Sequence, residues 1–125
     1  MKNRSILIVE DSEVGQYIAK YVIKKYDPGL DILQAYDGQE ALELLSEIPK
    51  QPIIILLDIN MPRMNGHEFL QQYETSELNK TNVIMLTSSC LDKDKDRCLW
   101  HKCVKKYLTK PLATSDLETI LTIPI

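Results

Sequence analysis

Four short apolar segments of this chain are followed by polar side chains of types that carry chemistry. Carboxylates follow two of the segments, a hydroxyl follows the third, and a lysine lies just beyond the fourth. These side chains are Glu10 and Asp11 after residues 6–9, Asp58 after residues 53–57, Thr87 after residues 83–86, and Lys110 after residues 104–108. Carboxylates bind divalent cations, and a hydroxyl and an ammonium stabilise phosphoryl oxygens. The pattern therefore predicts a phosphoryl site, provided that the fold brings the segments together.

A cation is needed at such a site because neighbouring carboxylates repel one another and do not stay ionised unaided. Mg²⁺ takes carboxylate, water and phosphate oxygens as ligands, so Glu10, Asp11 and Asp58 predict a Mg²⁺ site. Asp58 is the central carboxylate, and a carboxylate can attack phosphorus to form an aspartyl phosphate. Taken singly, each residue has a plainer interpretation as a helix cap, a turn residue or a surface lysine. Their joint placement favours the chemical interpretation.

The apolar segments themselves predict β-strands. They are too short for independent helices, rich in β-branched residues and almost continuously apolar, which is typical of strands buried on both faces of a parallel sheet. Residues 32–36 contain the polar Gln34 and predict a further strand nearer the sheet edge.

Amphipathic segments between the strands predict five helices. Their signals are the stripe Val14, Ile18, Tyr21, Val22 and Lys25, the N-cap Asp37 with Glu40, the stripe Phe69, Leu70 and Tyr73 after Gly66, the charged segment 91–102, and a capping box from Ser115 to Glu118. The alternation predicts an α/β fold, a three-layer α/β/α sandwich around a five-stranded parallel sheet with right-handed crossovers. Strand order 2-1-3-4-5 is favoured, although composition does not fix it. In that order strands one and three are neighbours, so their terminal carboxylates converge.

Length and composition set the limits of the fold and exclude some functions. The chain has 125 residues and 44% hydrophobic residues, which predicts one domain over residues 1–125. Its net charge of −3 gives no reason to expect nucleic-acid binding. No apolar run approaches the roughly 20 residues of a membrane span. Three cysteines, an odd number, do not form a disulfide framework, so we expect a cytoplasmic protein.

The segment of residues 91–102 differs from the other helical segments. It is mostly charged in its first half, and the side chains that can pack are Leu91, Cys98, Leu99 and Trp100. We therefore expect a weakly held helix. Cys98, His101 and Cys103 could suggest a metal clip, but structural zinc needs four ligands. Packing cysteines and a solvent-exposed His101 are the expectation.

Four separated motifs resemble the receiver domain of two-component response regulators. They are ILIVEDS at residues 6–12, IIILLDINMPRMNG at 53–66, IMLTSS at 84–89 and YLTKP at 107–111, in the family's order and spacing. The resemblance implies a flavodoxin-like fold with strand order 2-1-3-4-5. It also implies that Gly66 permits a sharp reversal into the third helix.

Carried over by position, the resemblance implies a role for each site residue. Asp58 is the phosphoacceptor, Asp11 is a direct Mg²⁺ ligand, Glu10 acts through water, and Asn60 supplies a backbone carbonyl. Thr87 holds a phosphoryl oxygen, Lys110 pairs with the phosphoryl group, Tyr107 is an aromatic switch, and the Lys110–Pro111 peptide is cis. Asn60 and Ser89 lie at positions that tune hydrolysis of the phosphate in this family.

The resemblance implies a phosphorylation switch with slow self-phosphorylation and dephosphorylation rather than an enzyme. A sensor histidine kinase or a phosphotransfer protein would phosphorylate Asp58, and the face formed by helix four, strand five and helix five would control a downstream protein. We expect no direct contact with nucleic acid or membrane, and a monomer or weak dimer. The start at Met1 and the last helix finishing by about Thr122 favour a stand-alone regulator over a receiver within a longer chain.

Two other functions use similar residues. Phosphatases and phosphotransferases of the haloacid dehalogenase class also use a strand-end aspartate, but they generally carry a second aspartate two residues on, where this chain has Asn60. A receiver-like module could also bind partners without phosphorylation. That function would be favoured if Asp58, Asp11 or Lys110 were missing, and all three are present.

Overall fold

Strands and helices alternate along the whole of the described chain. The computed structural model describes residues 4–78, 81–89 and 91–123. The strands are β1 (Ser5–Val9), β2 (Asp31–Ala35), β3 (Ile54–Leu57), β4 (Asn82–Thr87) and β5 (Val104–Thr109). The helices are α1 (Glu13–Tyr26), α2 (Gly38–Glu47), α3 (Gly66–Glu74), α4 (Asp92–Leu99) and α5 (Thr114–Ile120). All strand pairs are parallel, in the order β2-β1-β3-β4-β5, so the predicted fold is confirmed.

The continuous apolar strands are explained by cores on both faces of the sheet. Successive residues of β1 point to opposite faces, so Leu7 joins one core cluster and Ile8 joins the other. The first cluster includes side chains of α2, α3 and α4, whereas the second includes those of α1 and α5. β2, the strand with Gln34, forms one edge of the sheet, as its mixed sequence predicts.

The face by which α1 packs differs from the predicted apolar stripe. Val14, Ile18 and Tyr21 are exposed, and the buried residues of the helix are Gln16, Ala19 and Ile23. The buried residues also repeat at helical spacing, so the hydrophobic pattern alone predicted the wrong face of α1 for packing. The polar Gln16 is buried because it bonds carbonyl oxygens of the strand ends.

Two predictions for the C-terminal half were wrong in detail. Helix α5 begins at Thr114 with Ala113 as its N-cap, so Ser115 is not the cap. The acid that reaches back is Asp116, whose Oδ2 accepts from the Ala113 N–H at 2.9 Å. His101 was expected in solvent but is buried, because it pairs with Glu74 at the end of α3.

Helix α4 has even fewer apolar anchors than the sequence suggests. Cys98 is its one buried residue. The large side chains Leu91, Leu99 and Trp100 are exposed, and Trp100 is 78% exposed. The helix therefore depends on polar contacts to its neighbours more than α1 or α3 does.

The loop between β3 and α3 requires glycine because of a close backbone approach. A Cβ atom on Gly66 would lie 2.4 Å from the carbonyl oxygen of Asp58 and 2.8 Å from Cα of Ile59. Gly66 does not have a positive φ. The chain reversal before α3 therefore does not come from left-handed backbone at this glycine. The residue with left-handed backbone is Arg63, at φ 60°. Its guanidinium bonds the N-cap Asp37, with Nε to Oδ2 at 2.7 Å.

We expect the substitution Gly66→Ala to lower the free energy of unfolding by about 3 kcal/mol, because the backbone atoms it would meet cannot move aside like a side-chain tip. Urea denaturation measures the change. Gly29→Ala is the matched control: Gly29 is exposed, its Cβ would meet a single side-chain oxygen at 3.3 Å, and we expect a loss below about 0.5 kcal/mol. Equal losses in the two variants would contradict the close approach at Gly66.

Candidate functional site

The acidic side chains predicted from the sequence meet at the carboxyl ends of β1 and β3. These strands are neighbours, and the Asp58 N–H donates to the Val9 carbonyl at 3.0 Å. One carboxylate oxygen each of Glu10, Asp11 and Asp58 lie within 4.8 Å of one another. Glu10 and Asp58 are buried and Asp11 is exposed, so the cluster opens to solvent on one side.

Lys110 is the positive charge at this cluster. Its Nζ donates to Oδ2 of Asp58 at 2.9 Å and also to Oε1 of Glu10. The lysine follows β5, where its N–H donates to the Thr87 carbonyl at 2.9 Å, and the Lys110–Pro111 peptide is cis. One ammonium thus joins the ends of β1 and β3 from beyond β5.

Burial and hydrogen bonding shift the pKa values of Glu10 and Lys110. Burial raises the pKa of Glu10 above its usual value, even though the hydrogen bond from Lys110 acts in the opposite direction. Burial by itself would lower the pKa of Lys110, but hydrogen bonds to Glu10 and Asp58 outweigh it, so the pKa of Lys110 is raised. The ammonium form of Lys110 is therefore favoured at this site.

Local contacts fix the orientation of the two buried carboxylates. Oδ1 of Asp58 accepts from the Ile59 N–H at 2.7 Å, so both of its oxygens have donors. Oε2 of Glu10 accepts from the Ser12 N–H at 3.0 Å. The glycine at position 15 makes room for Glu10, because a Cβ there would lie 2.8 Å from the Glu10 side chain.

Gln16 is a buried polar residue beside the site that sequence reasoning missed. Its amide Nε2 lies within hydrogen-bonding distance of three carbonyl oxygens, those of Ile8 at 3.1 Å, Glu10 at 3.0 Å and Ala35 at 2.9 Å. Its Oε1 accepts from Gln34 Nε2 at 3.1 Å. Gln16 therefore holds the end of β1, from which Glu10 and Asp11 emerge, to the end of its neighbour β2. The sequence did contain one signal of this burial. Gln16 lies three residues before Ala19 and seven before Ile23, the apolar residues on the same helix face.

Ser89 forms hydrogen bonds with both Thr87 and Tyr107. Thr87 is fully buried, and its Oγ1 accepts from the Ser89 N–H at 3.2 Å. The Tyr107 hydroxyl donates to the Ser89 carbonyl at 2.9 Å. Asn60 lies two residues beyond Asp58 and is exposed. The β4–α4 loop is thus bonded to the strand-end threonine on one side and to β5 on the other.

The cysteines do not form a second metal centre within the described ranges. There, the acidic cluster is the one group of three or more histidine, cysteine or acidic side chains with the geometry of a metal site. Cys98 and Cys103 are buried, which raises the pKa of each thiol to about 11. Cys98 and Cys103 are therefore buried packing residues, as expected.

The fold and the site together define a doubly wound α/β protein with an acidic cluster, a buried threonine and a lysine at its switch in strand order. A family model described as the response regulator receiver domain matches residues 6–122. The chain belongs to this family.

Similar proteins agree with the family. The chain is 32% identical over 122 residues to a sensor histidine kinase, CheAY, of Helicobacter pylori. The match covers 93% of this chain but only 14% of that relative. A two-component response regulator from Cytophaga hutchinsonii is 25% identical with a TM-score of 0.87, over 97% of this chain and 96% of the other. The phosphorylated cyanobacterial phytochrome response regulator RcpA is 25% identical with a TM-score of 0.80, over 96% and 89% of the two chains. In the part of this chain that the structure describes, no helix is both long and apolar enough for a membrane crossing.

We expect Gln16→Leu to lower the free energy of unfolding by about 2 kcal/mol, because strand-end carbonyls would lose a buried donor while the side-chain volume is kept. Chemical denaturation measures the loss. Gln72→Leu, on the exposed surface of α3, is the control and should change the free energy of unfolding by less than about 0.5 kcal/mol. A Gln16 variant as stable as the Gln72 variant would show that the three contacts contribute nothing.

Proposed function

We propose that this chain is a phosphoacceptor switch of two-component signalling, in which Asp58 accepts a phosphoryl group from a histidine kinase or a phosphotransfer protein. The observation that carries the proposal is the position of Asp58, a buried carboxylate between two further acids and only 2.9 Å from the ammonium of Lys110. Membership of the receiver family and the likeness to a phosphorylated response regulator support it. The relative named as a sensor histidine kinase supports a partner of that class.

The donor set fits Mg²⁺. Three carboxylates within 4.8 Å of one another supply hard oxygen ligands, and Lys110 bonds only two of them. In the proposal Asp11 and Asp58 ligate the metal directly, Glu10 acts through a water, and Asn60 contributes its backbone carbonyl. When bound, Mg²⁺ supplies positive charge that neutralises phosphoryl oxygens and lowers the repulsion among the acids.

The chain's own residues then carry out the transfer. A carboxylate oxygen of Asp58 attacks the phosphorus of a phosphohistidine; the phosphorus–oxygen bond forms as the phosphorus–nitrogen bond breaks, and the imidazole leaves with the bonding electrons. Lys110 moves from the carboxylate to a phosphoryl oxygen, and the Thr87 hydroxyl donates to another. Such preoriented donors stabilise the charge that develops on the equatorial oxygens.

The switch follows from the contacts of Thr87. Its Oγ1 accepts from the Ser89 N–H in this structure, while Ser89 also bonds Tyr107. If Thr87 moves to the phosphoryl group, this contact changes, and the β4–α4 loop and Tyr107 must move with it. The face of α4, β5 and α5 would thereby change its affinity for a downstream protein. The proposal includes no direct contact with nucleic acid, a cytoplasmic location, and a monomer or weak dimer.

The residues favour a switch over an enzyme with turnover. Asn60 stands where a phosphatase of the haloacid dehalogenase class would have its second acid, and it is exposed. A module that only binds partners would not need Asp11, Asp58 and Lys110 together. We therefore propose slow self-phosphorylation and dephosphorylation as the chemistry of the isolated chain.

Incubation with a small phosphodonor and Mg²⁺ should add the mass of one phosphoryl group to the wild-type chain, stable in acid and labile in base. Asp58→Asn should abolish the gain, because an amide oxygen is a poor nucleophile towards phosphorus. Asp31→Asn, an exposed acid at the start of β2 and thus at the opposite edge of the sheet, should label like wild type. No gain in wild type, under conditions that label a known receiver, would refute the proposal; equal labelling of Asp58→Asn would refute the assignment of the residue.

We expect Asp11→Asn to weaken Mg²⁺ binding by about tenfold or more, because it removes one charged oxygen ligand. Titration calorimetry on the unphosphorylated protein measures the dissociation constant without reference to labelling. Asp31→Asn serves again as the control and should leave the constant unchanged. Unaltered affinity in Asp11→Asn would remove this residue from the proposed ligand set.

A further inference from the structure

The apolar stripe that the sequence predicts on α1 exists, but it faces solvent instead of the sheet. Val14, Tyr17, Ile18 and Tyr21 are exposed by 67%, 68%, 43% and 56%. They repeat at helical spacing on the side of α1 opposite its buried residues, and we call these four residues the α1 stripe. Single exposed apolar side chains are ordinary on a protein surface, but a contiguous apolar patch marks an interaction site.

The aromatic rings of the α1 stripe are already ordered by one another. The rings of Tyr17 and Tyr21 are stacked, with their centroids 6.4 Å apart and their planes at 22°. Nζ of Lys25 lies 5.9 Å from the centroid of the Tyr21 ring. Tyrosine rings offer a large contact area and have few rotatable bonds, so little conformational entropy is lost when a partner covers them.

The charges beside the α1 stripe are complementary to those of a second copy of the chain. Glu13 lies in the first turn of α1 and Lys24 lies in the last turn. About three helical turns separate them, so both lie on the same flank of the stripe. A two-fold axis through the middle of the stripe pairs two antiparallel copies, and it brings Glu13 of each copy to Lys24 of the other. A parallel arrangement would place like charges together, so the antiparallel one is favoured.

The present contact of Lys24 leaves it able to form this pair. Its Nζ donates to the Pro28 carbonyl at 3.3 Å in an exposed position. An ammonium group has three donors, so this bond leaves others for a carboxylate.

The size of the α1 stripe limits the strength of such a pair. The helix has 14 residues, which gives a strip about 21 Å long. With a width of about 10 Å, the strip is far smaller than the ~800 Å² that each partner buries in a stable interface. A weak dimer is therefore the association that this surface can support.

We propose that the α1 stripe is the interface of a weak antiparallel homodimer of this chain. The second copy is favoured as the occupant because the flanking charges complement themselves under a two-fold rotation, which also brings Tyr17 to Tyr21 of the second copy. Ile18 lines a pocket together with Asp58 and Lys110, so the second copy lies beside this site. Its consequence for signalling rests on the proposed phosphorylation of Asp58: the dimer hinders the approach of a protein phosphodonor but admits Mg²⁺ and a small phosphodonor.

Sedimentation equilibrium of the full, unphosphorylated chain tests the proposal. We expect a monomer–dimer equilibrium with a dissociation constant of about 0.1 to 1 mM. Tyr21→Ser should weaken the association about tenfold or more, because the two-fold axis removes a ring from the interface twice. Tyr26→Ser is the matched control and should leave the constant unchanged: Tyr26 is an exposed tyrosine of the same helix, but it points about 120° away from Val14 and lies off the stripe.

Reversal of the flanking charges tests the antiparallel arrangement. Glu13→Lys and Lys24→Glu should each weaken the association about fivefold, because each turns two attractions into two repulsions. The double variant restores opposite charges and should return to within about twofold of wild type. Glu47→Lys makes the same change of net charge at an exposed position of α2, which packs on the other face of the sheet, and it should have no effect.

A wild-type chain that stays monomeric up to about 1 mM would overturn the proposal and leave the α1 stripe to a helix of another protein. Association that Tyr21→Ser does not weaken would overturn it as well, because the contact would then lie on another face. A double charge variant no stronger than the single variants would overturn the antiparallel arrangement. Absence of phosphoryl labelling at Asp58 would count against the proposed function alone, because these measurements use unphosphorylated protein.

Discussion

One ammonium group, Nζ of Lys110, lies between two buried carboxylates, and the rest of the site is arranged around that contact. Three acids at one edge of a sheet repel one another, and burial makes the charge of Glu10 costlier still. The lysine offsets part of this cost, and a divalent cation would offset the remainder. In the proposed function the same arrangement serves phosphorylation, because a group that neutralises carboxylates also neutralises a phosphoryl group.

Hydrogen bonds to backbone carbonyls and two glycines keep these charges in place. Gln16 bonds the strand-end carbonyls below the acids, and the missing side chain at Gly15 leaves room for Glu10. Gly66 lets α3 begin directly against the backbone of Asp58. Helix α4, which follows β4 on the same side of the sheet, is held differently, since it buries only Cys98 and its Asp94 accepts from Ser89. A rigid acidic edge beside a loosely attached helix is the combination that a charge-operated switch needs.

The sequence predicted the fold well because parallel strands buried on both faces are apolar throughout, and it predicted the meeting of Glu10, Asp11 and Asp58 because strand ends share one edge. Its failures were of a different kind. Gln16 is buried because of carbonyls far away in sequence, and His101 is buried because of Glu74; no local pattern contains these partners. Arg63, the residue with left-handed backbone, forms an ion pair with Asp37, which is also a tertiary contact. Periodicity likewise could not tell which of two stripes on α1 faces the sheet.

The central claim is that one carboxylate among the three, Asp58, is the nucleophile. Borohydride reduction of the phosphodonor-treated protein, followed by peptide mass spectrometry, tests it most directly, because the reagent reduces an acyl phosphate and spares free carboxylates. The account predicts reduction at Asp58 alone, and only when Mg²⁺ was present during phosphorylation. Reduction at Glu10 or Asp11, or at Asp58 to the same extent after chelation of the metal, would contradict it.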